Sequence, residues 1–161
     1  FPFQEWFVAR GHRDEADGVR FEGAELAAPA PGVLEAIDSA DLILVAPSNP
    51  YVSIAPILAL QQIRAALANR KVQCVAVSPL IGGRAVKGPA DRMLARLAGG
   101  TTPAHVAGCY PGLIDALVVD EADAGSLDGL ADVRPIVTRT LMSDADARRR
   151  LAEAALGAVP A

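Results

Sequence analysis

Along this chain, short runs that are apolar throughout alternate with segments whose apolar residues recur every three or four positions. Residues 41–46 (DLILVA) and 71–77 (KVQCVAV) are apolar on both faces, as strands inside a parallel sheet are. Between them, residues 57–69 place Ile57, Leu60, Ile63 and Leu67 on one helical face. Residues 89–97 form a second helical pattern with Met93, Leu94 and Leu97 inward, and residues 104–110 a short third one. Further strands are predicted at 114–120 (IDALVVD) and 134–138 (RPIVT). Residues 145–156 close the chain as a helix, with Asp144 and Asp146 at its positive end, where acidic side chains are favoured. An earlier helix is predicted to start near Pro31, since a proline loses nothing in a first turn whose N–H groups are unpaired anyway.

Alternation of this kind predicts an α/β fold, a Rossmann-like, mostly parallel sheet with helices on both faces. Two extended runs near the start, residues 5–9 and 19–22, flank an Arg/Gly/Asp-rich turn and predict a β-ribbon at the sheet edge. With 161 residues and 52% apolar content the chain suits one domain with a sizeable core. A net charge of −4 gives no electrostatic footprint for nucleic acid. The longest apolar runs fall far short of the roughly 18 residues of a membrane-spanning helix. Cys74, Cys109, His12 and His105 have neither disulfide-framework nor zinc-site spacing, which fits a cytoplasmic protein. The first residues, FPFQEWFVAR, lack an initiating Met and read as a strand already under way. Residues 1–161 are therefore expected to be the carboxyl-terminal part of something longer, or a piece cut inside a domain.

In an open parallel sheet the ligand crevice lies beyond the carboxyl ends of the strands. The first such loop, APSNPYVSI, offers the Ser48 and Ser53 hydroxyls, the Asn49 amide and the N–H groups of a helix start, all suited to an anionic oxygen. A strand exit followed by a helix cap explains the same residues. The second, SPLIGGRAVKG, combines Gly82 and Gly83, which permit positive φ or a close ligand approach, with the cations Arg84 and Lys87. It suits phosphate but equally an ordinary turn, and it is not a GxxxxGK[ST] loop. The third, VVDEADAG, superficially matches a helicase motif, but no partner phosphate loop exists. Its acids read more plainly as a solvated strand end, with Asp120 and Glu121 as weak candidate metal ligands. His105 and Cys109 have no adjacent base or acid and read as packing. Trp6, between Phe3 and Phe7, either covers a ligand or fills an edge.

Taken in order, PSNPYVSIAPILAL, AVSPLIGGRAVKGPADRML and VDEADA, together with FQEWFVAR and VTRTLM, resemble the carboxyl-terminal half of the 2-phospho-L-lactate transferase (CofD-like) family, from about residue 3 to residue 156. The resemblance implies a transferase of coenzyme F-420 biosynthesis. Such an enzyme moves a phospho-acid unit (phospholactyl, or an enolpyruvyl or glyceryl equivalent) from a GDP-activated donor to the ribityl hydroxyl of the deazaflavin FO, releasing GMP, with magnesium required. It implies nucleotide or diphosphate contacts at Ser48, Asn49, Pro50, Ser78, Ile81, Gly82 and Gly83, with a phosphate contact at Lys87, and it is compatible with a homodimer. Phosphoryl-type transfer needs positioning and charge neutralisation, which these loops can supply. No residue presents itself as the catalytic group.

Nothing in the chain matches the family's first glycine-rich loop or its magnesium-binding aspartates. Leu80, Tyr51 and Arg139 also depart from the family pattern. Leu80 is conservative, Tyr51 is expected to alter pocket volume, and Arg139 carries over no metal role. The alternative is a non-catalytic nucleotide- or nucleotide-sugar-binding domain of a related regulator superfamily, or an inactive piece; SPLIGGRAVKGP favours the transferase.

Overall fold

A computed structural model describes residues 1–158. Four strands form a parallel sheet in the order in which the chain lays them down: β1 (Ile43–Val45), β2 (Cys74–Val77), β5 (Ala116–Asp120) and β6 (Arg134–Thr138). Ile43 pairs with Cys74, Val75 with Ala116 and Ala116 with Arg134, so every carboxyl end points the same way. Between β2 and β5 lies a two-stranded antiparallel ribbon, β3 (Leu80–Ile81) and β4 (Arg84–Ala85). The helices are α1 (Val33–Asp38), α2 (Ala55–Leu58), α3 (Gln61–Ala68), α4 (Ala90–Leu97), α5 (Pro103–Ala107) and α6 (Ala145–Leu156).

The period of two along a strand divides the core. Cys74, Ala76, Leu117 and Val119 face one side, where Leu58, Leu67, Leu94 and Val106 of α2–α5 cover them. Val75, Val77, Ala116 and Val118 face the other, against Leu151 and Ala155 of α6. Helices therefore lie on both faces, as expected, but unevenly, because α6 covers the second face alone. Leu44, in register with Val75, is left 47% exposed at the β1 edge. No single helix among the described residues is long and apolar enough to cross a membrane.

Two expectations are corrected. The edge ribbon foreseen near the start is not formed. Glu5–Ala9 is a π-helical turn, closed by an Arg10 N–H to Glu5 carbonyl bond of 2.9 Å, and residues 19–22 contain no strand. Aromatic and β-branched residues suggested strands, but propensity yields to packing. At helical spacing Phe3, Trp6 and Phe7 form one cluster, in which Trp6 is buried and its indole N–H donates to the Asp14 carbonyl at 3.0 Å. The antiparallel ribbon sits instead in the glycine loop, where Gly82 (φ 58°) and Gly83 (φ 70°) make a two-residue hairpin turn. The helix expected over 57–69 is broken: Leu60 is extended (φ −75°, ψ 109°), and the helical stretches on either side meet at 89°. The bend brings α3 against α1 and leaves Ile57 half-exposed rather than in the core.

The two faces set unequal costs. Leu117→Ala, at a site with no exposure in the central sheet, is expected to lower stability by about 2–5 kcal/mol. Leu44→Ala is expected to cost less than about 1 kcal/mol. Urea-unfolding midpoints of the two variants check this, and equal shifts would contradict the division of the core described here.

Candidate functional site

At the carboxyl ends of β1, β2 and β6 the loops enclose a cavity of about 520 Å³. Its walls are built by four segments: Ser48 and Asn49 after β1, Ser78 and Ile81 after β2, Val86 and Lys87 after β4, and Thr140 to Met142 after β6. Phe7, from the first π-helical turn, completes the border.

The Ser-Asn-Pro segment takes its shape from its sequence. A residue preceding proline is driven toward extended backbone, and Asn49 has φ −60° and ψ 119°. There its side-chain carbonyl accepts the N–H of Tyr51 at 2.9 Å and of Val52 at 3.4 Å, capping the helix that begins at Pro50. The amide nitrogen of Asn49 meets the Met93 sulfur at 3.4 Å. Asn49 thus lines the cavity while its polar atoms hold the loop together, and Pro50 is buried behind it, outside the cavity wall. Ser78 extends β2, donating its N–H to the Val118 carbonyl at 2.9 Å, and its hydroxyl oxygen accepts the Leu80 N–H at 3.2 Å to turn the chain into the ribbon.

Of the expected contacts, Ser48, Asn49, Ser78, Ile81 and Lys87 are brought together. Gly82 and Gly83 are not: they border a separate open groove with Arg84, Arg92 and Thr101. A Cβ on Gly83 would come within 3.0 Å of the Thr101 hydroxyl, so close packing as well as positive φ calls for glycine there. Tyr51 packs against the core and lies outside the cavity wall, so the expected effect on pocket volume is not realised. Lys87 is the only charged residue in the wall, is exposed, and has no carboxylate partner among the described residues. Arg139, by contrast, is paired with Glu121 at 3.1 Å on the surface. His105 sits against Gly100, its Nδ1 2.7 Å from the Thr102 hydroxyl, a packing position.

Sequence reasoning assigned no site residue to the loop after β6, and it weighed Trp6 rather than Phe7 as a possible cover for a ligand. The position of Thr140, Leu141 and Met142 just beyond a strand end was the available signal. No local pattern places Phe7 there, because it arrives by tertiary packing.

The acidic segment is committed to holding this architecture. Asp120, only 7% exposed, accepts the Thr140 N–H at 2.8 Å and the Thr140 hydroxyl at 2.9 Å through Oδ2, and the Ala122 N–H at 3.0 Å through Oδ1. Burial pushes its carboxyl up, but these donors and nearby Arg139 together hold it below the usual carboxylate range. Asp123, also buried, accepts the Gly82 N–H at 2.9 Å. A magnesium ion needs several oxygen ligands in octahedral array. With both Asp120 oxygens turned to internal donors and Glu121 paired to Arg139, this pair does not fit it. Among the described residues no group of three or more His, Cys, Asp or Glu side chains is arranged to hold a metal.

Comparison with known proteins places the chain among relatives. The family model for 2-phospho-L-lactate transferase CofD matches residues 2–150. Proteins named phosphoenolpyruvate transferase are 45% identical over 157 residues in Streptomyces griseus subsp. griseus, covering 96% of this chain and 49% of the relative. In Thermobifida fusca the identity is 43% over 155 residues, 96% of this chain and 47% of the relative. In Mycobacterium sp. (strain KMS) it is 38% over 133 residues, 80% and 40%. The chain spans about half the length of the curated relatives it matches, or less.

Because the Asp120 carboxyl is held below its ordinary range, its contribution is present above the unfolded value near about 4 and is lost as pH falls through the lower folded value. Asp120→Asn sets an amide N–H₂ against an N–H donor and is expected to cost about 2–3 kcal/mol at neutral pH. Melting temperatures of the two proteins should converge as the pH is lowered below about 4. A gap that stayed constant with pH would contradict the role given to this carboxylate.

Proposed function

We propose that this chain, which belongs to the 2-phospho-L-lactate transferase CofD family, forms the donor-phosphate side of a transferase of coenzyme F-420 biosynthesis. The observation that carries this is the cavity at the strand ends, whose wall holds a single, unpaired cation, Lys87, among serine and threonine side chains. The substrates are a GDP-linked phospho-acid and the deazaflavin FO, and the relatives' names favour the enolpyruvyl form of the acid.

In the proposed reaction the terminal hydroxyl of FO attacks the phosphorus that carries the acid. The P–O bond to GMP breaks, a phosphodiester forms, and the hydroxyl proton is lost. The protein's part is to place these groups and neutralise oxygen charge. Lys87 contributes that charge, Ser48 and Thr140 contribute hydroxyl groups, and Asn49 contributes by fixing the loop rather than by bonding the ligand. The magnesium that the resemblance implies would take its ligands from outside the Asp120–Glu121 pair. The acceptor's remaining contacts and complete turnover would then belong to a protein of the relatives' length, about twice that of this chain.

Calorimetric titration with GDP tests the reading. The unsubstituted chain is expected to bind, and Lys87→Ala to weaken binding roughly tenfold to a hundredfold, the size of a charge-assisted hydrogen bond. Asn49→Ala is a poorer probe, because loss of the cap costs stability, typically about 1 kcal/mol. GDP binding that is indifferent to Lys87 would overturn the assignment. Tight binding without transfer to FO, even in the presence of the rest of the protein, would favour the non-catalytic nucleotide-binding alternative.

A further inference from the structure

Phe7 borders the cavity, yet between its π-helical turn and α1 no helix or strand holds the chain. Side chains do so instead, reaching two arginines of α4. Arg96 pairs with Asp17 at 2.5 Å and with Glu15 at 3.7 Å. Arg92 meets His12 twice through one nitrogen, Nη2, which lies 2.7 Å from the ring Nδ1 and 2.8 Å from the backbone carbonyl.

A guanidinium has no lone pair, so both of these bonds are donated by Arg92. His12 must therefore present Nδ1 as an acceptor, with its ring proton on Nε2. An imidazolium carries a proton on each nitrogen and has nothing left to accept with. It would also set a second positive charge against the guanidinium. The other charged groups around His12 do not offset that charge. Asp14 is engaged by Arg10 at 2.6 Å, Glu15 and Asp17 by Arg96, and the neighbouring Arg13 is itself a cation. Asp91 of α4 lines the groove of Gly82 and Gly83 instead. The backbone adds to the dependence on this pair. His12 has φ 45°, directly after Gly11 at φ 60°, and a left-handed residue with a Cβ persists only where its surroundings impose it. The His12 ring lies 5.2 Å from that of Phe7 and 6.3 Å from that of Trp6, between centroids, so a change at His12 reaches the cavity border directly.

We infer that His12 and Arg92 form a pH-sensitive latch, which with neutral His12 positions residues 10–17 and the cavity border against α4, and which protonation of His12 releases. Histidine is the side chain that ordinarily changes charge between about pH 5 and 8. The latch is closed at the upper end of that range and opens as the pH falls through it, well above the range in which Asp120 loses its charge. Arg92 is thus a positioning residue, acting on the cavity through His12. The inference goes beyond the functional reading and stands without it.

The test follows the chain, His12→Gln and Arg92→Ala between pH 8 and pH 5 at constant ionic strength. Circular dichroism and hydrogen exchange of α6, on the far face of the sheet, confirm that the core stays folded throughout. Trp6, the one tryptophan of the chain, reports the segment by its fluorescence, because its indole N–H donates to the Asp14 carbonyl at 3.0 Å. Hydrogen exchange of the amides of residues 10–13, each bonded within the turn, measures its release. In the unsubstituted chain, protection of these amides relative to their intrinsic rates is expected to fall roughly tenfold to a hundredfold on acidification, the size of a charge-assisted hydrogen bond. A one-proton change in Trp6 emission should accompany it. Neither variant is expected to show the transition, His12→Gln because its amide does not titrate and Arg92→Ala because the latch is already open at pH 8. Absence of any transition in the unsubstituted chain overturns the latch. So does the same transition in His12→Gln, which would belong to His105, the other histidine. A transition lost in His12→Gln but kept in Arg92→Ala overturns it as well, since His12 would then act without the arginine.

Discussion

Two buried carboxylates three residues apart hold the cavity open. Asp120 ends β5 and fastens the chain beyond β6 at Thr140, while Asp123, at the close of the following turn, fastens the ribbon at Gly82. One attachment positions Leu141 and Met142, and the other positions the strand pair that leads to Val86 and Lys87. A buried carboxylate without donors would be expensive, so each anchor persists only while its N–H and hydroxyl partners are in place. Walls that come from distant parts of the sequence are thereby referred to one short segment of the central sheet.

This arrangement explains why the acidic stretch is easy to misread. VVDEADAG has the letters of a metal-binding strand end, and sequence alone ranks its acids by type and position. What decides their role is where the oxygens point, and that follows from the register of β5 with β6, which sets Asp120 beside Thr138 and within reach of Thr140. The strands and helices of the second half were legible because their patterns are long or unambiguous: β6 and α6 form at their expected boundaries, and β5 within two residues. The opening segment was not, since FPFQEWFVA satisfies strand propensity and helical spacing together, and only the burial of Trp6 chooses between them. The break at Leu60 was equally hidden, because the apolar period runs through it unbroken.

The candidate site was legible in its outline and not in its division of labour. Ser48, Asn49, Ser78 and Lys87 meet as the strand-end rule requires. Yet the asparagine serves as a cap and Gly82 and Gly83 serve as a turn, leaving Lys87 as the free charged group of the wall. The family's sequence signature is therefore largely a signature of loop shape. Its residues make a cavity of fixed form, and fewer of them are left to touch what enters it.

The order of the sheet bears on how the molecule is made. Among the described residues, each strand of β1, β2, β5 and β6 lies beside the preceding member of this sheet, with no strand inserted between earlier neighbours. Loop closure is therefore shared among a few moderate steps, and no pairing must wait for a distant segment. During synthesis each new strand meets an edge that already exists, so the sheet can be laid down in the direction in which the ribosome delivers it.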